Sequence, residues 1–195
     1  MDKLNLAIVL GSTRPGRRGE AVARWVHELA QKRDDATYEL VDVKDAHLPL
    51  LDEPQPASTG KYTQAHTKAW SARIAPFDGF VFVTAEYNHG PPAALKNALD
   101  FLYNEWVDKA AGFVSYGTDG GTRAVEQLRL VMGELHVADV RPALALSFAT
   151  DFDKAYSFAP SPPREKQLGA VLEQVVGWAG ALRELRRQKQ QKAAK

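Results

Sequence analysis

The sequence has no cysteine and no marked excess of charge of either sign. Its 195 residues carry 25 Lys and Arg against 24 Asp and Glu, a net charge of +1. Without cysteine the chain has no disulfide framework, thiolate metal site or thiol redox chemistry, and a reducing cytoplasm is the expected compartment. The balanced charge gives no electrostatic reason to expect nucleic acid or an anionic membrane as a partner.

Long apolar runs are also missing. No stretch approaches the roughly 20 apolar residues of a membrane span, and Met1-Asp2-Lys3 leads into a predicted strand without a signal-like apolar segment. The five histidines lie far apart in the sequence, so we expect no metal site. The length and the 45% hydrophobic content predict a single domain over residues 1–185, followed by a basic, disordered tail over 186–195.

What the sequence does contain is a glycine-rich loop between a predicted strand and a predicted helix. Residues 11–19 follow an apolar run at 4–10 and precede a helical pattern over 20–33. Such a loop binds anions, because unpaired backbone N–H groups and the positive end of the helix dipole face it. The loop contains two residues with hydroxyl groups, three arginines and a closing glycine, and all six are expected to contact the anion: Ser12, Thr13, Arg14, Arg17, Arg18 and Gly19.

The spacing of residues within this loop limits which class of anion it can bind. Arg17 and Arg18 stand where a Walker A loop has Lys and Ser or Thr, and the glycines do not fit the dinucleotide motif. A terminal phosphate monoester, such as that of flavin mononucleotide (FMN), suits the loop better. The alternative is an ordinary arginine-bearing surface turn.

The rest of the chain alternates strands and helices. Strands are predicted at 38–43, 80–84, 111–116 and 138–148, and helices at 62–75, 93–103, 122–136 and 164–185. Pro142 within the last strand suits an edge position or a bulge. This alternation predicts an α/β fold, a flavodoxin-like three-layer sandwich whose five-stranded parallel sheet has the order 2-1-3-4-5.

In that order a ligand binds beyond the carboxyl ends of the strands, where the loops at 11–19, 85–92 and 117–121 would meet. We expect the second and third loops to surround a flavin ring, with the dipole of the helix after Gly121 stabilising charge on the reduced ring. The alternative is that Tyr87 and Tyr116 pack at the rim and that the glycines only form turns. The predicted ring contacts are Glu86, Tyr87, Asn88, Ser115, Tyr116, Gly117, Gly120 and Gly121.

Two of these loops carry a family resemblance. The segments GSTRPGR at 11–17 and EYNHGPPAALKNALD at 86–100 resemble the NAD(P)H-dependent FMN reductase family, and segments 101–106 and 114–117 are similar to its quinone, azo-dye and chromate reductases. The resemblance covers residues 4–148. Glu86 departs from it, since many relatives have Pro or Gln there, and so does Arg18, where relatives often have an apolar or small residue.

The resemblance implies FMN as cofactor, NADPH or NADH as reductant, and a homodimer or dimer of dimers with each FMN near the subunit interface. It assigns phosphate binding to Ser12, Arg14, Arg17 and Arg18, and ring contacts to residues 86–90 and 115–121. The residues that it suggests for lining the substrate are Tyr87, His89 and Trp106.

The expected function is a two-electron, ping-pong reduction of a small-molecule acceptor such as a quinone or an azo compound. Hydride transfer at a flavin needs no side-chain nucleophile, so no catalytic side chain is predicted. Two alternatives stay open. One is an FMN reductase that releases reduced flavin to a partner, and the other is a flavodoxin-like electron carrier or redox sensor, which the near-zero net charge disfavours.

Overall fold

The structure, a computed structural model, describes residues 3–193. Its strands are β1 (Leu4–Leu10), β2 (Ala36–Asp42), β3 (Gly79–Ala85), β4 (Lys109–Gly117) and β5 (Val137–Ser147). Its helices are α1 (Gly19–Gln31), α2 (Ala65–Ile74), α3 (Ala93–Asp100), α4 (Thr122–Glu134) and α5 (Pro163–Ala193). All strand pairs are parallel, and the sheet order β2-β1-β3-β4-β5 confirms the predicted topology.

The central strands are apolar along their whole length because helices cover both faces of the sheet. Every residue of β3 and β4 is buried, and β1 is buried at six of its seven positions. One face packs against α1 and α5, and the other packs against α2, α3 and α4. The three-layer arrangement follows from these two cores.

The strand register places the ends of β1, β3 and β4 side by side. Leu10 pairs with both Asp42 and Val83, and Ala85 pairs with Tyr116. The loops that follow these strands therefore leave the same edge of the sheet. This edge is the topological switch point, where β1 leads outward to β2 and β3 leads the other way.

Pro142 lies in β5, which is an edge strand. The β4–β5 register shifts between Ala111 and Phe113, opposite the segment that contains Pro142. A residue without a backbone N–H is tolerated at an edge or at a bulge. The predicted role of Pro142 is confirmed.

The last helix extends well past its predicted end near Leu185. Helix α5 continues to Ala193, and its last turns are tied to the amino ends of β3 and β4. Arg186 forms an ion pair with Asp78 and donates to the backbone carbonyl of Asp108 at 2.6 Å, while Lys189 pairs with the Asp108 carboxylate. The prediction of a disordered tail is therefore wrong for residues 186–193, and residues 194 and 195 lie outside the described part.

Candidate functional site

A cleft of about 410 Å³ opens at the switch point. This volume lies within the roughly 300–1,000 Å³ typical of ligand clefts. The three predicted loops and the end of β5 form its wall. The lining residues are Arg14, Gly16, Arg17, Arg18, Ala85, Glu86, Tyr87, Tyr116, Gly117, Thr118, Phe148 and Tyr156.

The first loop presents open backbone donors. The Gly11 N–H donates to the Val83 carbonyl at 3.0 Å, which fixes the point where the chain leaves the sheet. Among residues 3–193, no acceptor faces the backbone N–H groups of Ser12, Thr13 or Arg14. Open backbone N–H groups that precede the N-terminus of a helix form a site for an anion.

The three arginines of this loop differ in their partners. The Arg17 guanidinium binds the Asp42 carboxylate and donates to the Ser12 carbonyl at 2.6 Å. It therefore braces the loop against the end of β2. Arg14 and Arg18 are exposed, and neither side chain has an ion pair or hydrogen bond within the described residues. They are the cations available to a ligand.

The two tyrosines of the cleft are held differently. The Ser12 hydroxyl is buried and lies 2.8 Å from the Tyr87 hydroxyl, so it joins the first loop to the second. The Tyr116 hydroxyl is buried without a hydrogen-bond partner, and burial raises the pKa of Tyr116 to about 12. A Cβ at Gly19 would collide with this hydroxyl. Glycine at position 19 thus leaves room for the hydroxyl beside the phosphate loop.

The second loop is a two-residue hairpin turn. Tyr87 and Gly90 exchange backbone hydrogen bonds of 2.9 and 3.0 Å, and Asn88 and His89 have φ angles of 50° and 66°. Positive φ at both central residues is typical of this turn type. The turn sets Tyr87 against the cleft. Asn88 and His89 are not among the residues that line it, and Gly90 lines a separate groove.

Glu86 binds the N-terminus of α4. Its carboxylate accepts hydrogen bonds from the backbone N–H groups of Arg123 at 3.0 Å and Ala124 at 3.4 Å, and from the Arg123 guanidinium at 2.8 Å. Burial opposes ionisation of Glu86, but these hydrogen bonds outweigh it and lower the pKa. The helix N-terminus expected to stabilise charge on a ligand is therefore already occupied by a carboxylate.

The third loop is mainly a support. The buried Ser115 hydroxyl donates to the Gly120 carbonyl at 2.6 Å. Gly120 and Gly121 both have φ of 74°, and a Cβ on Gly121 would lie 3.0 Å from the backbone of Tyr116. Of the residues predicted in this loop, Tyr116 and Gly117 line the cleft, while the others shape the turn behind it.

Two more of the predicted contacts lie away from the cleft. Trp106 is 1% exposed, donates its indole N–H to the Leu99 carbonyl at 3.1 Å and packs edge-on against Phe80. It is a core residue, so its predicted role in lining the substrate is wrong. Thr13 lines a smaller pocket on the other side of its loop, together with Lys44 and His47.

Thr118 lies within the predicted segment 115–121, whereas sequence reasoning missed Phe148 and Tyr156. Phe148 directly follows β5, and the rule that pointed to the other loops applies to that strand end as well. Within residues 3–193 there is no cluster of three or more His, Asp or Glu side chains that could hold a metal. None of the helices described in this range combines the length and the hydrophobicity that spanning a bilayer requires.

Comparison with known proteins gives the family. The model of the family described as NADPH-dependent FMN reductase matches residues 4–151. The chain belongs to this family. An NAD(P)H-dependent FMN reductase of Schizosaccharomyces pombe is 40% identical over 186 residues, covering 93% of this chain and 85% of the relative. A quinone reductase of Escherichia coli is 32% identical over 137 residues, 67% of this chain and 70% of the relative.

A solved structure shows the same fold. FerB, a flavoenzyme NAD(P)H:(acceptor) oxidoreductase from Paracoccus denitrificans, superposes with a TM-score of 0.71 at 20% identity, covering 91% of this chain and 98% of FerB. As a member of the FMN reductase family, the chain is a flavin-dependent oxidoreductase that uses NAD(P)H.

The cleft fits FMN on its own geometry. The loop with the open N–H groups at residues 12–14 supplies two unpaired guanidiniums, Arg14 and Arg18, to one side of the cleft. The buried, unpartnered Tyr116 hydroxyl lies beside Gly19, which leaves room for it. Such donors match a phosphate.

Proposed function

We propose that the protein binds FMN in this cleft and reduces quinones and azo compounds with NADPH or NADH in a two-electron, ping-pong cycle. One observation carries the proposal: open backbone donors, unpaired cations and two tyrosines meet in a single cleft at the switch point. These groups match a ligand with a phosphate at one end and an aromatic ring at the other.

Each group has its own task. Arg14, Arg18 and the N–H groups of residues 12–14 bind the phosphate, while Arg17 keeps the loop in shape through Asp42. Tyr87, which Ser12 orients, and the loop at Gly117 enclose the ring. When bound, FMN supplies the chemistry, since it accepts a hydride from the nicotinamide and passes two electrons to the acceptor. The protein positions both substrates and requires no side-chain nucleophile.

The proposal includes a homodimer in the cytoplasm. An apolar groove of about 510 Å³ lies beside the Tyr87–Gly90 turn, with Leu130 79% exposed at its edge. Leu50, in the long loop before α2, is 82% exposed. A second copy of the chain that covers this groove would bury apolar surface next to the cleft, which suits an acceptor site completed by a partner subunit.

An anaerobic absorbance titration of the purified protein tests the function. The yellow protein should bleach with NADPH or NADH and regain its colour when a benzoquinone is added. A yellow protein that neither nucleotide bleaches would instead support the electron carrier or sensor. If reduced flavin leaves the protein during the titration, as ultrafiltration would show, the protein is an FMN reductase that releases its product.

A further inference from the structure

The connection from β5 to α5, residues 148–162, is a fixed strap beside the cleft. Asp151 in this strap is fully buried, and its carboxylate accepts hydrogen bonds from Arg164 Nε at 2.7 Å and Nη2 at 2.9 Å. The backbone N–H of Ser147 donates to the same carboxylate at 3.0 Å. The strap is therefore pinned between the last residue of β5 and the first turn of α5.

Aromatic packing fixes the middle of the strap. Phe152 and Phe158 form an antiparallel bridge, with ring centroids 5.3 Å apart. Phe158 also packs edge-on against Trp25 of α1, at 5.4 Å. Only the short turn between the two phenylalanines projects from this base.

Tyr156 occupies the least favourable position of that turn. Its N–H donates to the Asp153 carbonyl at 2.9 Å, and its φ angle is 59°. The left-handed region is an outlier for a bulky residue, and glycine is the residue that such a turn favours. A side chain kept at a strained position next to a ligand cleft indicates a functional reason for it.

The Tyr156 ring has an open face on the cleft. It is 53% exposed, and its one aromatic neighbour within residues 3–193 is Phe148, which it meets edge-on at 5.7 Å. Its hydroxyl has no hydrogen-bond partner in the same range. Arg14 and Arg18 line the same cleft.

On these grounds, and resting on the proposed function, we propose that Tyr156 retains FMN by covering its phosphate and ribityl portion. The ring gains contact area when a ligand fills the cleft. It also keeps water from the contacts between the phosphate and the two arginines, which strengthens them because charges attract more strongly in a less polar environment. Tyr156 is thus a binding residue that controls whether the flavin stays or leaves.

Three variants test this inference. Tyr156→Asn removes the ring but keeps a residue that tolerates the left-handed backbone. Tyr156→Phe keeps the ring and removes the hydroxyl. Trp178→Ala, at a 51% exposed position on α5 outside the cleft, is the control for loss of an exposed aromatic residue. FMN release after dilution of each holoenzyme is followed by the rise in flavin fluorescence, and a dilution series gives the dissociation constant.

We expect Tyr156→Asn to raise the dissociation constant about tenfold, mainly through faster release. Tyr156→Phe should stay within about twofold of the wild type, since the packing of the ring is the main contribution. Trp178→Ala should match the wild type. If the wild type binds FMN and Tyr156→Asn releases it at the same rate, the inference fails and the proposed function stands.

Two further outcomes would also overturn the inference. Unchanged FMN release together with weaker NADPH binding in Tyr156→Asn would assign the ring to the nucleotide. A wild-type protein that binds no FMN would overturn both the inference and the proposed function.

Discussion

At the scale of single residues, the arginines of the phosphate loop have two different roles: some are free to bind a ligand, and one holds the loop in shape. Arg14 and Arg18 face the cleft without partners, whereas the side chain of Arg17 is 9% exposed and paired with Asp42. A guanidinium that already has a carboxylate partner gains little from a second anion, while an unpaired one gains a charge-assisted hydrogen bond. Removing Arg17 should therefore disturb the shape of the loop, and removing Arg14 should weaken ligand binding directly.

Arg14→Ala should raise the FMN dissociation constant by at least tenfold with the fold intact. A hydrogen bond to a charged group contributes about 1.5–3 kcal/mol, and about 1.4 kcal/mol corresponds to a factor of ten. Fluorescence titration of the apoprotein measures the change. Arg24→Ala is the matched control, since this arginine lies on α1 and pairs with Glu20 outside the cleft. Equal affinities in the two variants would remove Arg14 from the phosphate site.

Glu86→Ala should lower the free energy of unfolding by about 1 kcal/mol, because α4 loses the carboxylate at its N-terminus. The folded-state pKa of Glu86 is lowered, so its stabilisation is complete above its ordinary pKa and is lost as pH falls through the lowered value. Urea unfolding at neutral and acid pH measures this, with Glu86→Gln as the uncharged control. A difference between wild type and Glu86→Gln that does not shrink in acid contradicts the assignment.

The residue types in the sequence predicted which loops lie together. They predicted the role of each side chain less well. Tyr87, Tyr116 and Arg14 line the cleft as expected from the loops that carry them. The partners of Arg17 and Glu86 were not predictable, because each ion pair joins segments that only the sheet order brings together. Glu86 and Arg123 are 37 positions apart in sequence.

At the scale of elements, the end of α5 is a structural clamp. Arg186 and Lys189 pair with Asp78 and Asp108, which precede β3 and β4. The Asp78 carboxylate also accepts a hydrogen bond from the backbone N–H of Asn5 at 3.0 Å. The last turns of α5 thus connect to three strands through two carboxylates.

Deleting residues 186–195 should lower the free energy of unfolding by about 1–3 kcal/mol, because hydrogen bonds to charged groups are lost at a partly buried site. Deleting only residues 190–195 keeps Arg186 and Lys189 and is the control. Chemical denaturation of both shortened chains makes the comparison. Equal stabilities would mean that this segment behaves as the solvated tail predicted from its composition.

Burial explains which element boundaries the sequence predicted well. The limits of β1 were predicted correctly, since a buried parallel strand is a continuous apolar run bounded by a loop motif. The end of α5 was not, because its last turns are polar and are held by ion pairs with distant residues. That the described residues form a single domain stays a prediction.

At the scale of the whole molecule, one buried cation links stability to pH. Lys109 is 5% exposed and donates to the Ala75 carbonyl at 2.9 Å, at the end of α2. Burial lowers its pKa to about 7. Between that value and the ordinary lysine pKa of about 10.4, the unfolded chain binds more protons than the folded one, so stability should rise with pH.

Lys109→Met should remove this rise. The stability difference between the wild type and Lys109→Met should change by about 1 kcal/mol from pH 7 to pH 8 in favour of the wild type. Urea unfolding of both proteins at the two pH values measures it, and groups other than Lys109 cancel in the difference. A constant difference would show that Lys109 stays charged in the folded protein.

Leu130→Glu should convert the proposed dimer to monomers in sedimentation experiments and leave the circular dichroism unchanged. A carboxylate within an apolar interface is costly to bury, and the side chain at this position is 79% exposed in the single chain. Trp178→Glu makes the same change on α5, away from the groove. If only Trp178→Glu yields monomers, the interface of the proposed dimer lies on α5.

The exposed charges at the two ends of the sheet are largely screened from each other. The ion pairs of α5 lie at the amino ends of the strands and the cleft lies at the carboxyl ends. Seven residues of β1 span about 20 Å, more than twice the screening length of about 8 Å in physiological salt. Changes of charge at the exposed lysines of the α5 end should therefore act on the stability of the protein rather than on the electrostatic potential in the cleft.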